Sequence, residues 1–442
     1  MFGFSDITLS ADAAVGIVQS YSDRCRGDVK MNFEQIQKYG QIIKDYTYKN
    51  YKECFREPIG NLKYRFIVPG SCYANALWDW DSWLTDLAIG RLPGSDEIIE
   101  YEQGCILNFL EYVQEDGTTP IYIEPDCMGE EYVQGETNIH KPNLAQHALF
   151  ICQKNGNNAD WLKDKFDLIE TYLGFYQNKC KHESGLYFWI DDFAIGVDND
   201  PCTFYRPKGS SASIFLNCLM YKELLAVSEL AKMLGMTDKE ELYKKRAEEL
   251  KEAIRENCWD ERDGFYYSAD INLTPINPTQ RLHSGCPRHW NCLIQRIGVW
   301  SGFLAMWADI ATPEQAERMV REHYLNDKTF HSPYGVRSLS KMEKMYRIVK
   351  SGNPSCWLGP IWGIANYMVF EGLRNYGFIN EARSLAGKTI TLFGRDIEKN
   401  GQMHEYYDPD SGEGVYNSGF QSWNLLSLNM VDWINGGNFS DE

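Results

Sequence analysis

Two loops of this sequence combine carboxylates with aromatic residues and glycine, a composition suited to proton transfer. In the first, residues 189–201, four aspartates fall within ten positions and no lysine or arginine accompanies them. Gly196 permits a sharp bend just before Asp198, and Pro201 holds Asp200 in an extended conformation. A carboxylate on such a rigid loop suits general acid or base catalysis. Taken alone, the segment is also compatible with a polar surface turn.

The second loop lies roughly 200 residues later and begins at Glu405, ahead of Tyr406 and Tyr407. A third segment, residues 78–83, contains three tryptophans and two aspartates in six positions. Its Asp81 is also typical of a helix N-cap. Aromatic planes stack on the C–H faces of sugars, and tryptophan and tyrosine add a polar edge. Two carboxylates with aromatic platforms are the arrangement that glycosidases use.

Other loops contribute weaker candidates. His140 is one of eight histidines, and a lone histidine near a helix start is more often structural than functional. Arg206 and Lys208 follow the first acidic loop, where they either balance its charge or hold an anionic part of a substrate. Residues 357–362 open a helix with two tryptophans around Gly-Pro. The run from Asp408 is similar to a calcium loop but has glutamate where the glycine belongs, so we expect no metal there.

The composition is that of a globular protein with a sizeable core. Of the 442 residues, 43% are hydrophobic and 24% charged, and the net charge of −18 argues against a nucleic acid or an anionic membrane as partner. The 13 cysteines are scattered without a C-x-x-C pair, which argues against zinc and is typical of a reducing cytoplasm.

We therefore expect a cytoplasmic protein. The sequence shows no signal peptide, no apolar stretch long enough to span a membrane, no nucleotide-binding fingerprint and no nucleophile elbow. A single domain over residues 1–442 and no cofactor are the corresponding expectations. The sequence leaves the oligomeric state open, and a homo-oligomer is compatible with it.

Helical periodicity dominates the chain and predicts an all-α fold. Spacings of three and four between apolar residues indicate about twelve helices. They are predicted near residues 33–48, 80–91, 98–114, 143–155, 158–180, 211–235, 238–257, 294–308, 313–324, 357–376, 380–399 and 418–434. Every second connection is long and aromatic, which favours a closed toroid of helical hairpins with long loops and short β-hairpins at one end. An open solenoid would show a repeat of about 34–47 residues, and none is readable.

Helix ends carry their own signals. Thr237 with Glu240 is a capping-box pattern, and Gly235 before it is a plausible helix stop. Thr312 followed by Pro313 marks another helix start.

With these loops in view, the chain resembles the mannosylglycerate and glucosylglycerate hydrolases of glycoside hydrolase family sixty-three, and more distantly processing α-glucosidases and trehalases. The resemblance covers about residues 73–423. Its motifs stand in the family's order at Trp80-Asp81-Ser82, Gly196-Val197-Asp198-Asn199-Asp200-Pro201, Tyr334-Gly335-Val336-Arg337-Ser338, Trp357-Leu358-Gly359-Pro360-Ile361-Trp362, and Glu405-Tyr406-Tyr407-Asp408-Pro409 with Gly412-Glu413-Gly414.

The resemblance implies an (α/α)6 barrel and an exo-acting α-glycosidase that inverts the anomeric carbon, with Asp198 as general acid and Glu405 as general base. It also implies that Asp81 lies in the sugar pocket. Relatives often have serine in place of Asp200 and arginine in place of Leu358, and many have Gln-Pro-Pro at residues 140–142. These departures leave the sugar, the aglycone and the linkage open.

Two other functions remain to be weighed. A sugar epimerase on a similar toroid generally uses paired histidines, and here only His404 lies in the acidic loops. A non-catalytic glycan-binding protein would retain the pocket without turnover. For the hydrolase and for both of these alternatives we expect a small carbohydrate as the partner. The substrate-binding candidates are Trp80, Asp81, His140, Asn199, Arg206, Trp357, Gly359, Trp362, Tyr406, Tyr407, Gln421 and Trp423.

Overall fold

The computed structural model describes residues 33–70, 73, 75–90, 92, 97–127, 139–191, 193–275, 277, 279–282, 284, 288, 290–349 and 354–436. Within them the α-helices are α1 (Phe33–Asn50), α2 (Asp79–Ile89), α3 (Ile99–Leu110), α4 (Leu144–Lys154), α5 (Phe166–Lys179), α6 (Ile214–Met233), α7 (Thr237–Cys258), α8 (Leu304–Trp307), α9 (Pro313–Arg318), α10 (Gly363–Asn375), α11 (Ile379–Asn400) and α12 (Ser427–Ile434).

The even-numbered helices form a closed inner ring. Each packs against the next, from α2 through α4, α6, α8 and α10 to α12, and α12 returns to α2. The odd-numbered helices alternate with them along the chain, and α1 packs against α11, so that the first outer helix meets the last. This arrangement fits an (α/α)6 barrel and agrees with the predicted toroid.

The sequences of the two rings differ as their surroundings require. Helix α6 of the inner ring has buried residues on every side, from Ile214 to Ala231, because neighbouring helices surround it. Helix α7 of the outer ring buries a single stripe, which includes Tyr243, Ala247, Leu250 and Ile254, and its other face is charged. A helix that is apolar on every side must lie inside the protein. The pattern of buried residues therefore distinguishes the inner helices from the outer ones.

Short strands lie in the loops, so the all-α description is incomplete. They are β1 (Phe55–Arg56), β2 (Phe66–Ile67), β3 (Leu77–Trp78), β4 (Tyr122–Ile123), β5 (Ser211–Ala212), β6 (Trp259–Asp260), β7 (Phe265–Tyr266), β8 (Ser268–Asp270), β9 (Leu293–Gln295), β10 (His331–Ser332), β11 (Gly335–Val336), β12 (Ile361–Trp362), β13 (Tyr406–Tyr407) and β14 (Gly414–Tyr416). All pairings are antiparallel.

Two of these small sheets position the entrances to inner helices. Trp78 at the end of β3 pairs with Tyr122, and the Asp79 backbone N–H donates to the Ile121 carbonyl at 2.9 Å, so α2 begins directly at the sheet. In the sheet β12–β13–β14, Trp362 lies opposite Tyr406, and α10 begins at the next residue. Each sheet therefore fixes where an inner helix starts.

The predicted helices all occur, but four begin markedly later than expected. A 3-10 turn at Asp160–Lys165 precedes α5, which was predicted from about residue 158. Residues 293–295 form β9 against β8 instead of helix, and a 3-10 turn precedes α8. Helix α10 begins at Gly363 because Ile361 and Trp362 pair with β13. A 3-10 turn at Ser422–Leu426 precedes α12. Strand pairing overrides local periodicity before α8 and α10, whereas 3-10 turns take the place of the first predicted turns of α5 and α12.

The helix-end predictions fared unevenly. A helix begins after Thr312 with Pro313 at its first position, as expected, and the structure adds a capping box between Thr312 and Gln315. The capping box at Thr237 was wrong, because Thr237 is already helical and its N-cap is Met236. Gly235 has a left-handed backbone (φ 73°), which agrees with a helix stop. No helix in the described ranges is long and apolar enough to cross a membrane.

Candidate active site

A cavity of about 170 Å³ opens at the end of the barrel where the inner helices begin. By the ~10–15 Å³ that one water requires, it has room for on the order of a dozen water-sized groups, about the number of non-hydrogen atoms in one hexose. The residues that line it are Pro69, Tyr73, Trp78, Trp80, Asp81, Ile121, Lys141, Gly196, Asp198, Ser355, Trp357, Trp362, Glu405, Phe420 and Trp423.

Glu405 lies in the wall just before β13 and is 5% exposed. Its Oε2 accepts hydrogen bonds from the Tyr73 hydroxyl at 3.0 Å and the Asn417 amide at 2.8 Å. Burial raises the pKa of Glu405 to about 7, the two hydrogen bonds oppose the rise, and the charge of Asp198 adds to it. Because both donors bond Oε2, Oε1 is the oxygen that can accept from a water molecule.

Asp198 stands on a tight turn that the neighbouring residues stabilise. Gly196 and Asn199 both have left-handed backbones, with φ of 67° and 57°. The Asn199 side chain accepts from the Trp357 N–H and donates to the Ser355 carbonyl, each at 3.0 Å. The Asp198 loop is thereby tied to the loop before α10, which contributes Trp357 to the same cavity. This is the rigid presentation that a proton donor requires.

Asp81 is a buried third carboxyl in the cavity wall. It lies in the first turn of α2, and its Oδ1 accepts from the Ser422 hydroxyl at 2.8 Å. The N-cap alternative was wrong, because α2 begins at Asp79. Burial raises the pKa of Asp81 to about 7. The Ser422 bond opposes that rise, and the charge of nearby Asp79 adds to it.

Indole rings form the walls between the carboxyls. Trp357 stacks on Trp362 with centroids 3.8 Å apart, and Trp80 packs edge-on against Trp423 at 5.1 Å. The Nε1 atoms of Trp78, Trp357 and Trp423 are buried and have no hydrogen-bond partner within the described ranges. A wall of aromatic planes suits the C–H faces of a polyhydroxylated ring.

The structure thus brings Asp198, Glu405, Trp80, Asp81, Trp357, Trp362 and Trp423 to one cavity. His140 does not line this cavity. Its ring is 2% exposed and packs edge-on against Phe109, and its Nδ1 lies 2.6 Å from the Lys141 carbonyl oxygen. Burial lowers the pKa of His140 to about 4. His140 is therefore a core residue rather than part of the wall.

Arg206 and Gln421 also lie outside the wall. Arg206 forms an ion pair with Asp270, the end of β8, at 2.5 Å. The Gln421 side chain accepts from the Cys54 thiol and donates to Glu53. Both side chains tie loops together, and neither borders the cavity.

The remaining candidates hold the wall in place from behind. The Tyr406 hydroxyl donates to the Pro354 carbonyl at 2.6 Å, and the Tyr407 hydroxyl donates to Asp396 at 2.7 Å. Gly359 has φ 143° and a Cβ there would meet the Tyr346 ring at 2.6 Å. Asn199 acts as the tie described above. None of these four lines the cavity.

Several lining residues were not predicted. Tyr73 and Phe420 belong to the segments that flank predicted motifs, so proximity in sequence to a motif was a signal for both. Lys141, which also lines the cavity, was not among the predicted substrate-binding residues. Among the described lining residues there is no histidine, which disfavours the paired-histidine chemistry of an epimerase. No group of three or more metal-ligating side chains is found within the described part of the chain.

An (α/α)6 barrel with carboxyls and indoles around a ring-sized cavity defines the class of the glycoside hydrolases that work on such barrels. The comparison with known families agrees. Residues 73–424 match the mannosylglycerate hydrolase MGH1-like glycoside hydrolase domain, and the chain belongs to that family.

Two individual relatives are named as glycoside hydrolases. The chain is 26% identical over 314 residues to a probable mannosyl-oligosaccharide glucosidase of Schizosaccharomyces pombe, covering 68% of this chain and 35% of that protein. It is 29% identical over 168 residues to a mannosylglycerate hydrolase of Thermus thermophilus, covering 38% and 33%. The alignments thus span about a third of each relative's length.

A solved structure shows the shared fold. A GH63 mannosylglycerate hydrolase of Thermus thermophilus, in complex with glucose, superposes with a TM-score of 0.61 over 89% of this chain and 98% of that one, at 18% identity. The barrel predicted by resemblance is therefore confirmed as an (α/α)6 type.

Proposed function

We propose that this protein is an inverting, exo-acting α-glycoside hydrolase that acts on a small α-glucoside or α-mannoside, such as glucosylglycerate, mannosylglycerate or a disaccharide. The observation that carries the proposal is the presence of Asp198 and Glu405 in the wall of one small cavity between indole rings. A cavity with room for a single ring favours removal of a terminal sugar over cleavage within a chain. The family to which the chain belongs supports the reaction class.

In the proposed mechanism, Asp198 donates a proton to the glycosidic oxygen as the bond to the anomeric carbon breaks. Glu405, in its ionised form, accepts a proton through Oε1 from a water that attacks the opposite face of the sugar. The hydrogen bonds from Tyr73 and Asn417 hold the other oxygen, Oε2, and fix the orientation of the base. The indole rings exclude bulk water while the oxocarbenium-like transition state forms.

Asp81 has a supporting role in this proposal. Its carboxyl is fixed by Ser422 and lies in the wall with Glu405. A buried carboxyl of this kind accepts hydrogen bonds from sugar hydroxyls and thereby orients the ring.

The test is hydrolysis of glucosylglycerate, mannosylglycerate, trehalose, kojibiose and an aryl α-glucoside, with the anomer of the released sugar followed by NMR. We expect the β-anomer from at least one α-linked substrate. Release of the α-anomer would refute inversion, and no release from any member would refute the hydrolase assignment for these linkages.

Two variants test the catalytic roles. Asp198→Asn and Glu405→Gln should each lower kcat by roughly 10³-fold or more, because each removes one half of the acid–base pair. Both should keep the melting temperature and the binding of released sugar near wild type. Near-normal turnover by either variant would show that its residue is not catalytic.

A further inference from the structure

An ion pair lies directly behind the cavity. The Lys141 ammonium is 3.1 and 3.3 Å from the two carboxylate oxygens of Asp79, and both side chains are at most 1% exposed. Asp79 also accepts from the backbone N–H groups of Trp80 at 2.6 Å and Lys141 at 2.8 Å. Four contacts thus hold this carboxylate, which makes the pair a fixed part of the wall.

The surroundings leave the Lys141 ammonium little freedom. It lies 4.5 Å from the centroid of the Trp80 ring, and a Cβ at Gly196 would come within 2.8 Å of its Nζ. The loop of Asp198 therefore closes over the lysine. Lys141 cannot turn away from Asp79 without displacing that loop, so its charge stays compensated.

The net charge of the wall follows from this pairing. Lys141 is the one basic side chain that the described residues contribute to the cavity, and Asp79 cancels it. The carboxyl groups in the cavity lining are those of Asp81, Asp198 and Glu405. A carboxylate carried by the aglycone of a substrate would approach these carboxyls, and the described lining contains no uncompensated cation to offset its charge. Its desolvation would therefore be unfavourable.

The donors in the wall are suited to uncharged acceptors. An ammonium has three N–H groups, and Lys141 can share one with a hydroxyl while it remains paired with Asp79. A neutral hydroxyl oxygen matches this donor without adding charge.

We propose that the Asp79–Lys141 pair determines specificity, so that the site accepts an uncharged α-glycoside and discriminates against one whose aglycone bears a carboxylate. The inference rests on the proposed hydrolase function and narrows its substrate class.

The experiment compares two substrates that differ in one group: 2-O-α-glucosylglycerol, with a CH₂OH, and 2-O-α-glucosylglycerate, with a carboxylate in its place. The corresponding mannosyl pair is measured in parallel. We expect kcat/KM to be at least roughly tenfold higher for the neutral member. Equal or faster cleavage of the glycerate overturns the inference and leaves the hydrolase function standing.

Other outcomes are also decisive. If only a different neutral α-glycoside is cleaved, the glycerol and glycerate compounds are compared as competitive inhibitors of that reaction. The neutral one should bind at least roughly tenfold tighter, and the reverse order overturns the inference. If no glycoside is cleaved, the hydrolase function fails and the inference fails with it.

Variants separate charge from structure. Asp79→Asn leaves the Lys141 charge uncompensated and should shift the kcat/KM ratio toward the glycerate by roughly tenfold. The double variant Asp79→Asn/Lys141→Met removes both charges and should restore the neutral preference. A purely structural role would lower both rates equally and leave the ratio unchanged. Melting temperatures show whether each variant is folded.

Discussion

The hydrogen bonds to Glu405 make the pH dependence of the reaction adjustable. The base must be ionised to act, and the pKa of Glu405 is raised by burial to about 7, so kcat/KM should rise with pH through about 7. The Tyr73 hydroxyl and the Asn417 amide stabilise the ionised form through Oε2. Removing either donor raises the pKa of Glu405 further, and the acidic limb moves to higher pH.

The magnitude follows from the energy of such a bond. A hydrogen bond to a charged group contributes about 1.5–3 kcal/mol, and one pKa unit corresponds to about 1.36 kcal/mol. Tyr73→Phe should therefore shift the acidic limb upward by about one to two pH units. Asn417→Gly should do the same, and glycine also tolerates the left-handed backbone (φ 52°) at that position. The activity at high pH, where Glu405 is ionised in every variant, should change much less.

The assay is the pH profile of kcat/KM, which reports on the free enzyme. A matched control distinguishes the two buried carboxyls, because the pKa of Asp81 is also raised to about 7. Ser422→Ala removes the 2.8 Å bond to Asp81 and leaves the donors to Glu405 in place. If the limb moves with Ser422→Ala and stays fixed with Tyr73→Phe and Asn417→Gly, Asp81 is the titrating group and our assignment of the limb is refuted.

Two further predictions concern a glycine and a buried acid. Gly196→Ala and the control Gly235→Ala both force alanine into a left-handed backbone, at about 1–2 kcal/mol each. Only the first meets Lys141, so only it should lower kcat/KM by roughly tenfold or more; equal activities would refute the contact. Burial raises the pKa of Glu102, beside Asp86, so the folded protein retains a proton that the unfolded chain releases. The free energy of unfolding should therefore fall as the pH rises from about 4.5 to about 9 in the wild type, and it should stay flatter in Glu102→Gln. Parallel urea curves for the two proteins would contradict this.

The sequence predicted those parts of the site that lie in loops just before inner helices. Asp198, Glu405 and the tryptophans around them stand in such loops, and a ring of parallel inner helices brings their starts to one end. Tyr406 and Tyr407 were misjudged because other residues cover both faces of β13: the Tyr406 ring stacks on Trp362, and the Tyr407 ring packs against Phe393. His140 was misjudged because burial depends on neighbours from distant helices.

Other features depend on contacts that no local pattern reveals. The partner of Lys141 is Asp79, 62 positions away, and neither residue type predicts the other. The small sheets likewise arise from pairing between distant loops, such as β12 with β13. Periodicity identifies a helix but not which loops will meet above it.

Two of the bonds that anchor the site's carboxyls join segments from opposite ends of the chain, where the ring of inner helices closes. Tyr73 and Glu405 are 332 positions apart, and Asp81 and Ser422 are 341 apart. Contacts of such long sequence separation form late and slowly, because the intervening chain must first be ordered. During refolding, helix content should thus recover before the cavity is assembled. Catalytic competence is then a reporter of ring closure itself, and a chain whose last hairpin has not yet docked is a helical protein without an active site.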